Sequence, residues 1–137
     1  MKTLEEVRAE MYQDLFAVEA TGATIESIND DGTVTARLEI EPRHYNSGGR
    51  VMGGAIFTLA DFALAATIYA NEMFSTAISC EIEYLRAGSG SFLTAVGYLD
   101  KSGRSVIFGG ARVYDDRDRL IAQLRAQSFR LEVPVRD

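Results

Sequence analysis

The 137-residue chain is poor in the side chains that usually carry redox, metal or nucleophilic chemistry. Cys80 is its only cysteine, so no intrachain disulfide can form and a cysteine zinc site has too few ligands. His44 is its only histidine, which excludes a histidine cluster and any Ser-His-Asp triad built on another imidazole. Positive charge is also short. Fourteen Lys and Arg stand against twenty Asp and Glu, for a net charge of −6. That balance lacks the basic footprint of a nucleic-acid binder, and any anionic ligand must rely on local positive charge. The sequence contains no G-x-S-x-G elbow, phosphate loop or dinucleotide fingerprint. The first ten residues are acidic and helical in pattern, without an apolar run of signal-peptide length, so the expected compartment is the cytoplasm.

What is present is the composition of one globular domain over residues 1–137. Hydrophobic residues make up 47% of the chain and charged residues 25%. Thr3 and Glu6 have capping-box spacing. Leu4, Val7, Met11, Leu15 and Val18 then predict an amphipathic helix of about four turns, ending near Gly22. Residues 23–28 and 33–40 form the arms of an expected hairpin about the Asn29-Asp30-Asp31-Gly32 turn. A polar loop over 42–52 leads into the most apolar segment, residues 53–70. That segment is rich in alanine and short for a membrane span, so it is expected as a buried helix. Strands are expected over 77–85, 92–99, 105–114 and 120–131, paired consecutively as a meander. Ile78, Cys80, Ile82 and Tyr84 are expected on one apolar face. The glycines at 109 and 110 suggest a bulge or a close backbone approach. The predicted class is α+β, with an antiparallel sheet covered by the central helix.

Asp61 stands out within that helix. Phe57, Thr58, Leu64 and Ala65 lie one turn away, and most of the remaining neighbours are apolar. A carboxylate placed there costs stability and has a raised pKa, which makes it a candidate functional group. The bland alternative is an edge position or a bond to a nearby amide. Gly53 and Gly54 open the same helix, where free amides and the helix dipole favour negative charge. Such amides can stabilise an oxyanion, or the pair can simply be a flexible joint. Gly53 and Asp61 are separated by roughly 12 Å along one helix. They cannot meet one carbonyl within a single chain, so joint action predicts a homodimer with a shared site.

The stretch from His44 through Asn46, Gly49, Met52, Gly53 and Gly54 to Asp61 resembles the signature of the phenylacetate-pathway (PaaI-type) hot-dog thioesterases. That signature runs H-x-N-x-x-G-x-x-H-G-G, with an acidic residue seven positions after the last glycine. The Leu85-Arg86-Ala87-Gly88 segment and the Ser102-Gly103-Arg104 turn are similar to further family features. The resemblance implies a hot-dog fold and hydrolysis of an acyl-CoA thioester, with coenzyme A as part of the substrate and no separate cofactor or metal. It implies that Asn46 orients water or substrate, that the Gly53 amide polarises the carbonyl, and that Asp61 is nucleophile or general base. Met52, Gly54 and His44 are candidate substrate contacts beside them, His44 as a loop residue rather than a base. Arg86, Lys101 and Arg104, at strand ends and turns, are candidate partners for coenzyme A phosphates, with ordinary solvated surface as the bland alternative, and the Ser102-Gly103-Arg104 match favours Arg104. The resemblance also implies a homodimer paired into a homotetramer, with pantetheine along the interface, and no nucleic-acid or membrane partner. Two positions depart from the pattern. Met52 replaces the histidine before Gly-Gly, and Ala77 stands where a Ser or Thr is often found. The Met52 departure also fits a non-catalytic acyl-CoA binding or sensing protein. A dehydratase of the same fold fits less well, because the only histidine precedes the helix.

Overall fold

A computed structural model describes residues 1–132 of the chain. Helix α1 (Leu4–Met11) starts with the expected capping box. The Glu6 amide donates to Thr3 Oγ1 at 3.2 Å, and the Thr3 amide donates to Glu6 Oε2 at 2.8 Å. The helix does not run on to Gly22. It stops at a turn over residues 12–14, and a short π-helical segment follows over Phe16–Thr21. Asp14 helps cause the break, because its Oδ1 accepts from the Ala17 amide at 3.5 Å and competes with regular helical bonding. The apolar stripe shifts as a result. Val7, Met11 and Ala17 are buried, while Leu15 is 57% exposed.

Strands β1 (Ala23–Ile28) and β2 (Val34–Glu39) form the expected hairpin. Alternation along β2 holds, with Val34, Ala36 and Leu38 fully buried. Helix α2 spans Gly53–Ala70, as the apolar run predicts. Strands β3 (Phe74–Tyr84), β4 (Phe92–Ser102), β5 (Val106–Asp115) and β6 (Leu120–Leu131) complete one antiparallel sheet. Its order is β1-β2-β4-β5-β6-β3. The last four strands therefore do not form a simple meander. β4, β5 and β6 pair in sequence, but β3 lies at the far edge against β6. The seven residues between Tyr84 and Phe92 cross the end of the sheet, a step of about 14 Å over three strand spacings. Within that crossing Gly88 is buried against Val51 and Ile56, where a Cβ would come within 3.1 Å of Val51.

The sheet curls around α2 in the hot-dog arrangement. Leu59, Ala60, Phe62, Ala63 and Ala66 are buried against Ile25, Leu38, Leu93, Ile107, Val113 and Leu124 of the sheet. Burying a side chain such as Phe62 contributes about 1.5–3 kcal/mol. Helix and sheet approach closely at Gly97, where a Cβ would strike the Ala63 carbonyl and the Thr67 hydroxyl. Thr67 Oγ1 accepts from the Val34 amide at 3.1 Å and donates to the Ala63 carbonyl at 2.8 Å, joining α2 to β2. Although α2 is long and apolar enough to cross a membrane, this wrapping makes it the core helix. At Gly109 and Gly110 a side chain would run into the Tyr98 and Leu124 carbonyls, so these glycines mark close backbone approach.

One local irregularity matters for the site. A bulge between Ala77 and Ser79 shifts the β3–β6 register. Ala122, Leu124, Ala126 and Ser128 of β6 are all buried. Their cross-strand partners are Tyr84, Ile82, Cys80 and Ala77, which therefore share the helix-facing side. Ile78, expected on that face, is displaced by the bulge and is 58% exposed.

Candidate functional site

The chain before α2 is built as a rigid collar around the start of the helix. His44 is 4% exposed. Its Nδ1 accepts from the Glu41 amide at 3.0 Å, and its Nε2 lies 2.6 Å from the Thr21 carbonyl. This pairing requires the neutral tautomer protonated on Nε2. Both ring nitrogens are thus occupied by backbone, so His44 has none left for the expected substrate contact. It pins the loop to the π-helical segment instead. Its own carbonyl accepts from the Met52 amide at 2.7 Å.

The intervening loop closes on itself. Tyr45 and Val51 form a bridge, and the Asn46 amide donates to the Arg50 carbonyl at 2.7 Å. Asn46 Oδ1 accepts from the Gly48 amide at 2.9 Å and the Arg50 amide at 3.1 Å. Its side-chain carbonyl is therefore committed to shaping the loop. The Nδ2 group makes no hydrogen bond among the described residues and remains free to donate.

This collar presents the N-terminus of α2. Met52 occupies the N-cap position and supplies no capping oxygen. It is 57% exposed. No acceptor in the chain meets the Gly53 or Gly54 amide among the described residues. Two donors with the positive end of the helix dipole behind them are thus left for an outside group. Tyr84 borders them. Its hydroxyl donates to the Gly53 carbonyl at 3.0 Å.

A cleft of about 410 Å³ opens here. It brings together Asn46, Gly53 and Arg86, three of the residues singled out in the sequence. Arg50 and Tyr84 line it as well. Neither Arg50 nor Arg86 has an ion-pair partner among the described residues. The sequence reading missed Arg50 and gave Tyr84 no role. Two signals pointed to them: Arg50 lies three positions before Gly53, and Tyr84 ends the strand face shared with Cys80 and Ile82.

Asp61 is not in that cleft. It lies two turns along α2, roughly 12 Å from Gly53. Gly54, Thr58, Asp61, Ala65 and Tyr69 recur at three- and four-residue spacing and form the side of α2 that the sheet leaves uncovered. The Asp61 carboxylate can be reached by solvent in the single chain, but protein atoms crowd it. This desolvation pushes its pKa above the ordinary aspartate value, and the nearby Asp14 carboxylate pushes in the same direction. Cys80, facing the helix, has its thiol pKa raised by burial and by the Asp61 charge. Ala77 shares that face and brings no hydroxyl.

Arg104 lies elsewhere. It borders a cavity with Phe74 at the start of β3, whereas Tyr84, beside Gly53, ends that strand. The eleven residues of β3 separate the two ends by roughly 33 Å. Arg104 therefore cannot reach the Gly53 cleft of its own chain. Among the described residues no cluster of three His, Cys, Asp or Glu side chains could hold a metal ion.

The family model described as the thioesterase superfamily matches residues 48–122, more than half of the chain. The acyl-coenzyme A thioesterase PaaI of Escherichia coli (strain K12) is 26% identical over 122 residues, covering 88% of this chain and 86% of that protein. Among solved structures, the E. coli PaaI protein from the phenylacetic acid degradation operon superposes with a TM-score of 0.85 at 22% identity, covering 96% of each chain. A hypothetical thioesterase protein from Streptococcus pneumoniae TIGR4, solved with coenzyme A, gives a TM-score of 0.80 at 21% identity, over 90% of this chain and 95% of that one. At these identities the structural likeness establishes the shared fold.

Proposed function

The chain belongs to the thioesterase superfamily, and we propose that it hydrolyses an acyl-CoA thioester in a site shared between two copies. One observation carries this reading. The uncapped Gly53 and Gly54 amides and the desolvated Asp61 lie on one helix, about 12 Å apart, and Gly54 and Asp61 share the side that the sheet leaves uncovered. An oxyanion donor and a nucleophile or base must both lie within about 3 Å of the reacting group. Two α2 helices packed antiparallel, with Phe57 at their midpoint, bring Gly53 of each copy to Asp61 of the other.

The free edge of the sheet supports the same arrangement. β3 is eleven residues long, and its outer edge has no strand partner among the described residues. Such an edge is a template for another strand. Antiparallel pairing of β3 with its copy joins the Phe74 end of one strand to the Tyr84 end of the other. Arg104 then approaches the cleft of the second copy, beside Arg50 and Arg86, where guanidinium groups suit coenzyme A phosphates. Phe108 and Phe129, exposed on the outer sheet face, offer a surface for pairing two dimers into a tetramer.

In this reading the thioester carbonyl oxygen accepts from the Gly53 amide of one copy, which stabilises the charge as the tetrahedral intermediate forms. Asp61 of the other copy either takes a proton from attacking water or attacks the carbonyl itself. Collapse breaks the carbon–sulfur bond. The leaving thiolate takes up a proton, and the products are a free acid and coenzyme A. If Asp61 attacks first, water must then cleave the resulting anhydride. The Asn46 Nδ2 group is available to orient the water or the carbonyl.

The test is thiol release from a panel of short, long and aromatic acyl-CoAs. Hydrolysis that disappears in Asp61→Asn is the expected result. Tight binding of acyl-CoA with no thiol release anywhere in the panel points instead to a binding protein and overturns the hydrolytic reading. In a single turnover in ¹⁸O water, label found in the Asp61 carboxylate establishes the nucleophilic role, because water reaches that carboxylate covalently only by cleaving the anhydride.

A further inference from the structure

The N-terminal segment, residues 1–21, runs antiparallel to α2 and brings a second carboxylate to the level of Asp61. Its start is tied to the far end of the helix, where the Lys2 amide donates to the Ala70 carbonyl at 2.9 Å. Further along, Met11 lines a cleft with Ala65 and Ile68. Its end is tied to the collar at the near end of the helix, where His44 Nε2 lies 2.6 Å from the Thr21 carbonyl and the His44 carbonyl accepts from Met52. Both α1 and the π-helical segment pack on α2. Asp14 comes three residues after Met11, and Asp61 comes four before Ala65. The antiparallel course thus sets Asp14 beside Asp61. We propose that Asp14 is a positioning residue, a second and unneutralised carboxylate that the N-terminal segment holds against Asp61, whose charge makes Asp61 a stronger base or nucleophile. The proposal rests on the reading of Asp61 as the reacting group.

Asp14 is fixed by its own turn. Its amide donates to the Met11 carbonyl at 3.0 Å, its carbonyl accepts from the Val18 amide at 3.0 Å, and its Oδ1 accepts from the Ala17 amide at 3.5 Å. Tyr12 holds the turn on β1, its hydroxyl accepting from the Ile25 amide at 3.2 Å. Arg8, the nearest cation along the chain, is engaged elsewhere. Its guanidinium donates to the Ile25 carbonyl at 2.9 and 3.1 Å. Neither Asp14 nor Asp61 has an ion-pair partner among the described residues.

Within the chain, the other surroundings of Asp61 bring no positive charge. Phe57, Thr58, Leu64 and Ala65 on α2 are uncharged. Cys80 faces it from β3, and burial and the Asp61 charge keep that thiol in its neutral form. Leu93, Val113 and Leu124 of the three neighbouring strands are buried under the helix. Glu10, one turn before Asp14, is a further acid and lines the cleft beside Ala65. In the proposed dimer the second copy adds its Gly53 amide, with Arg50 and Arg86 lining the cleft behind it. A like charge beside a partly desolvated carboxylate disfavours ionisation and so raises its affinity for a proton. Burial and then Asp14 push Asp61 in that direction.

The experiment uses Asp14→Asn, Asp14→Lys and Asp14→Glu. Asparagine keeps an oxygen for the Ala17 amide and removes only the charge, lysine reverses the charge, and glutamate restores it. The probe is the ¹³C spectrum of the assembled protein labelled at the aspartate carboxyl carbon, with the Asp61 signal assigned by its loss in Asp61→Asn. The Asp61 midpoint should fall in Asp14→Asn, fall further in Asp14→Lys and stay near the wild type in Asp14→Glu. The differences should shrink in about 1 M salt, because Asp14 is exposed and its charge is screened there. A midpoint that stays fixed in both Asp14→Asn and Asp14→Lys overturns the proposal.

Turnover gives the second readout. In Asp14→Asn the acid limb of the kcat profile should move to lower pH, and the plateau above it should fall by about threefold, as for a weakened base. The variant loses activity at neutral pH and keeps it at acid pH, whereas a damaged fold lowers the rate at every pH. A loss by the same factor across the whole range, or one that Asp14→Glu does not restore, overturns the positioning role. Midpoints that move as expected in a protein that releases thiol from no acyl-CoA sink the hydrolytic reading and leave the pairing of the two carboxylates standing.

Discussion

The Tyr84 hydroxyl donates to the Gly53 carbonyl at 3.0 Å, and the Tyr84 ring occupies the space a side chain at Gly53 would need. A Cβ at Gly53 would lie 3.0–3.3 Å from three atoms of the Tyr84 side chain, two in the ring and the hydroxyl oxygen. The last residue of the edge strand thus sets the position of the first turn of the central helix. Gly53→Ala should push the tyrosine and the amide apart and lower kcat/KM by at least about tenfold, as small misplacements of an oxyanion donor do. Adding Tyr84→Ala restores space and should recover part of the loss. A Gly53→Ala enzyme with full activity would remove this contact from the site.

Asp61→Asn should lower kcat by roughly 10²–10⁴-fold, the usual contribution of a positioned acid or base. The acid limb of the wild-type pH profile should lie above the ordinary aspartate value, because the proposed role of Asp61 needs the ionised form and desolvation raises its pKa. The stability consequence has the opposite sense to a salt-bridged carboxylate. A raised folded-state pKa stabilises the protein at low pH, and that stability is lost as pH rises through it. Removing the charge should therefore raise Tm at pH 7 and matter little at pH 3. Thermal melts at the two pH values check the sign.

Phe57 lies midway between Gly53 and Asp61 on α2 and is partly exposed in the single chain. In an isologous dimer a residue at that midpoint meets its own copy. Phe57→Lys should set two ammonium groups against each other and halve the mass found by sedimentation. Activity should fall with the dimer if each site is shared between two chains as proposed. A fully active monomer is the result that sinks the shared-site reading.

His44→Ala should act on stability first. It leaves the part-buried Glu41 amide and the buried Thr21 carbonyl without their ring partner, at a cost of about 1–3 kcal/mol. Urea unfolding should show the lower midpoint. Activity should weaken too, through a looser collar around the Gly53 amide. An unchanged midpoint would mean that the loop holds its shape without the imidazole.

Much of the local structure followed from local sequence, although the break of α1 after Met11 did not. The capping box at Thr3 and Glu6, the Asn29–Gly32 turn, the alternation in β2 and both ends of α2 all depend on residues within a turn or a few positions of one another. The candidate groups were legible for the same reason. A carboxylate in an apolar helix and two glycines at its start are incongruous without any knowledge of the fold.

The tertiary structure decided what depends on distant partners. β3 pairs with β6, not with β4, because the sheet must curl around α2. The bulge at Ala77–Ser79 then exchanges Ile78 for Ala77 on the inner face, and alternation alone cannot report an inserted residue. His44 became a buried pin because the π-helical segment supplies its carbonyl from 23 positions away. Arg50 and Arg86 came together because the β3–β4 crossing passes over the start of α2. Hydrophobic periodicity records which side of an element avoids water. It does not record which surface covers that side, and for the uncovered stripe through Asp61 the proposed cover is a second copy of the chain.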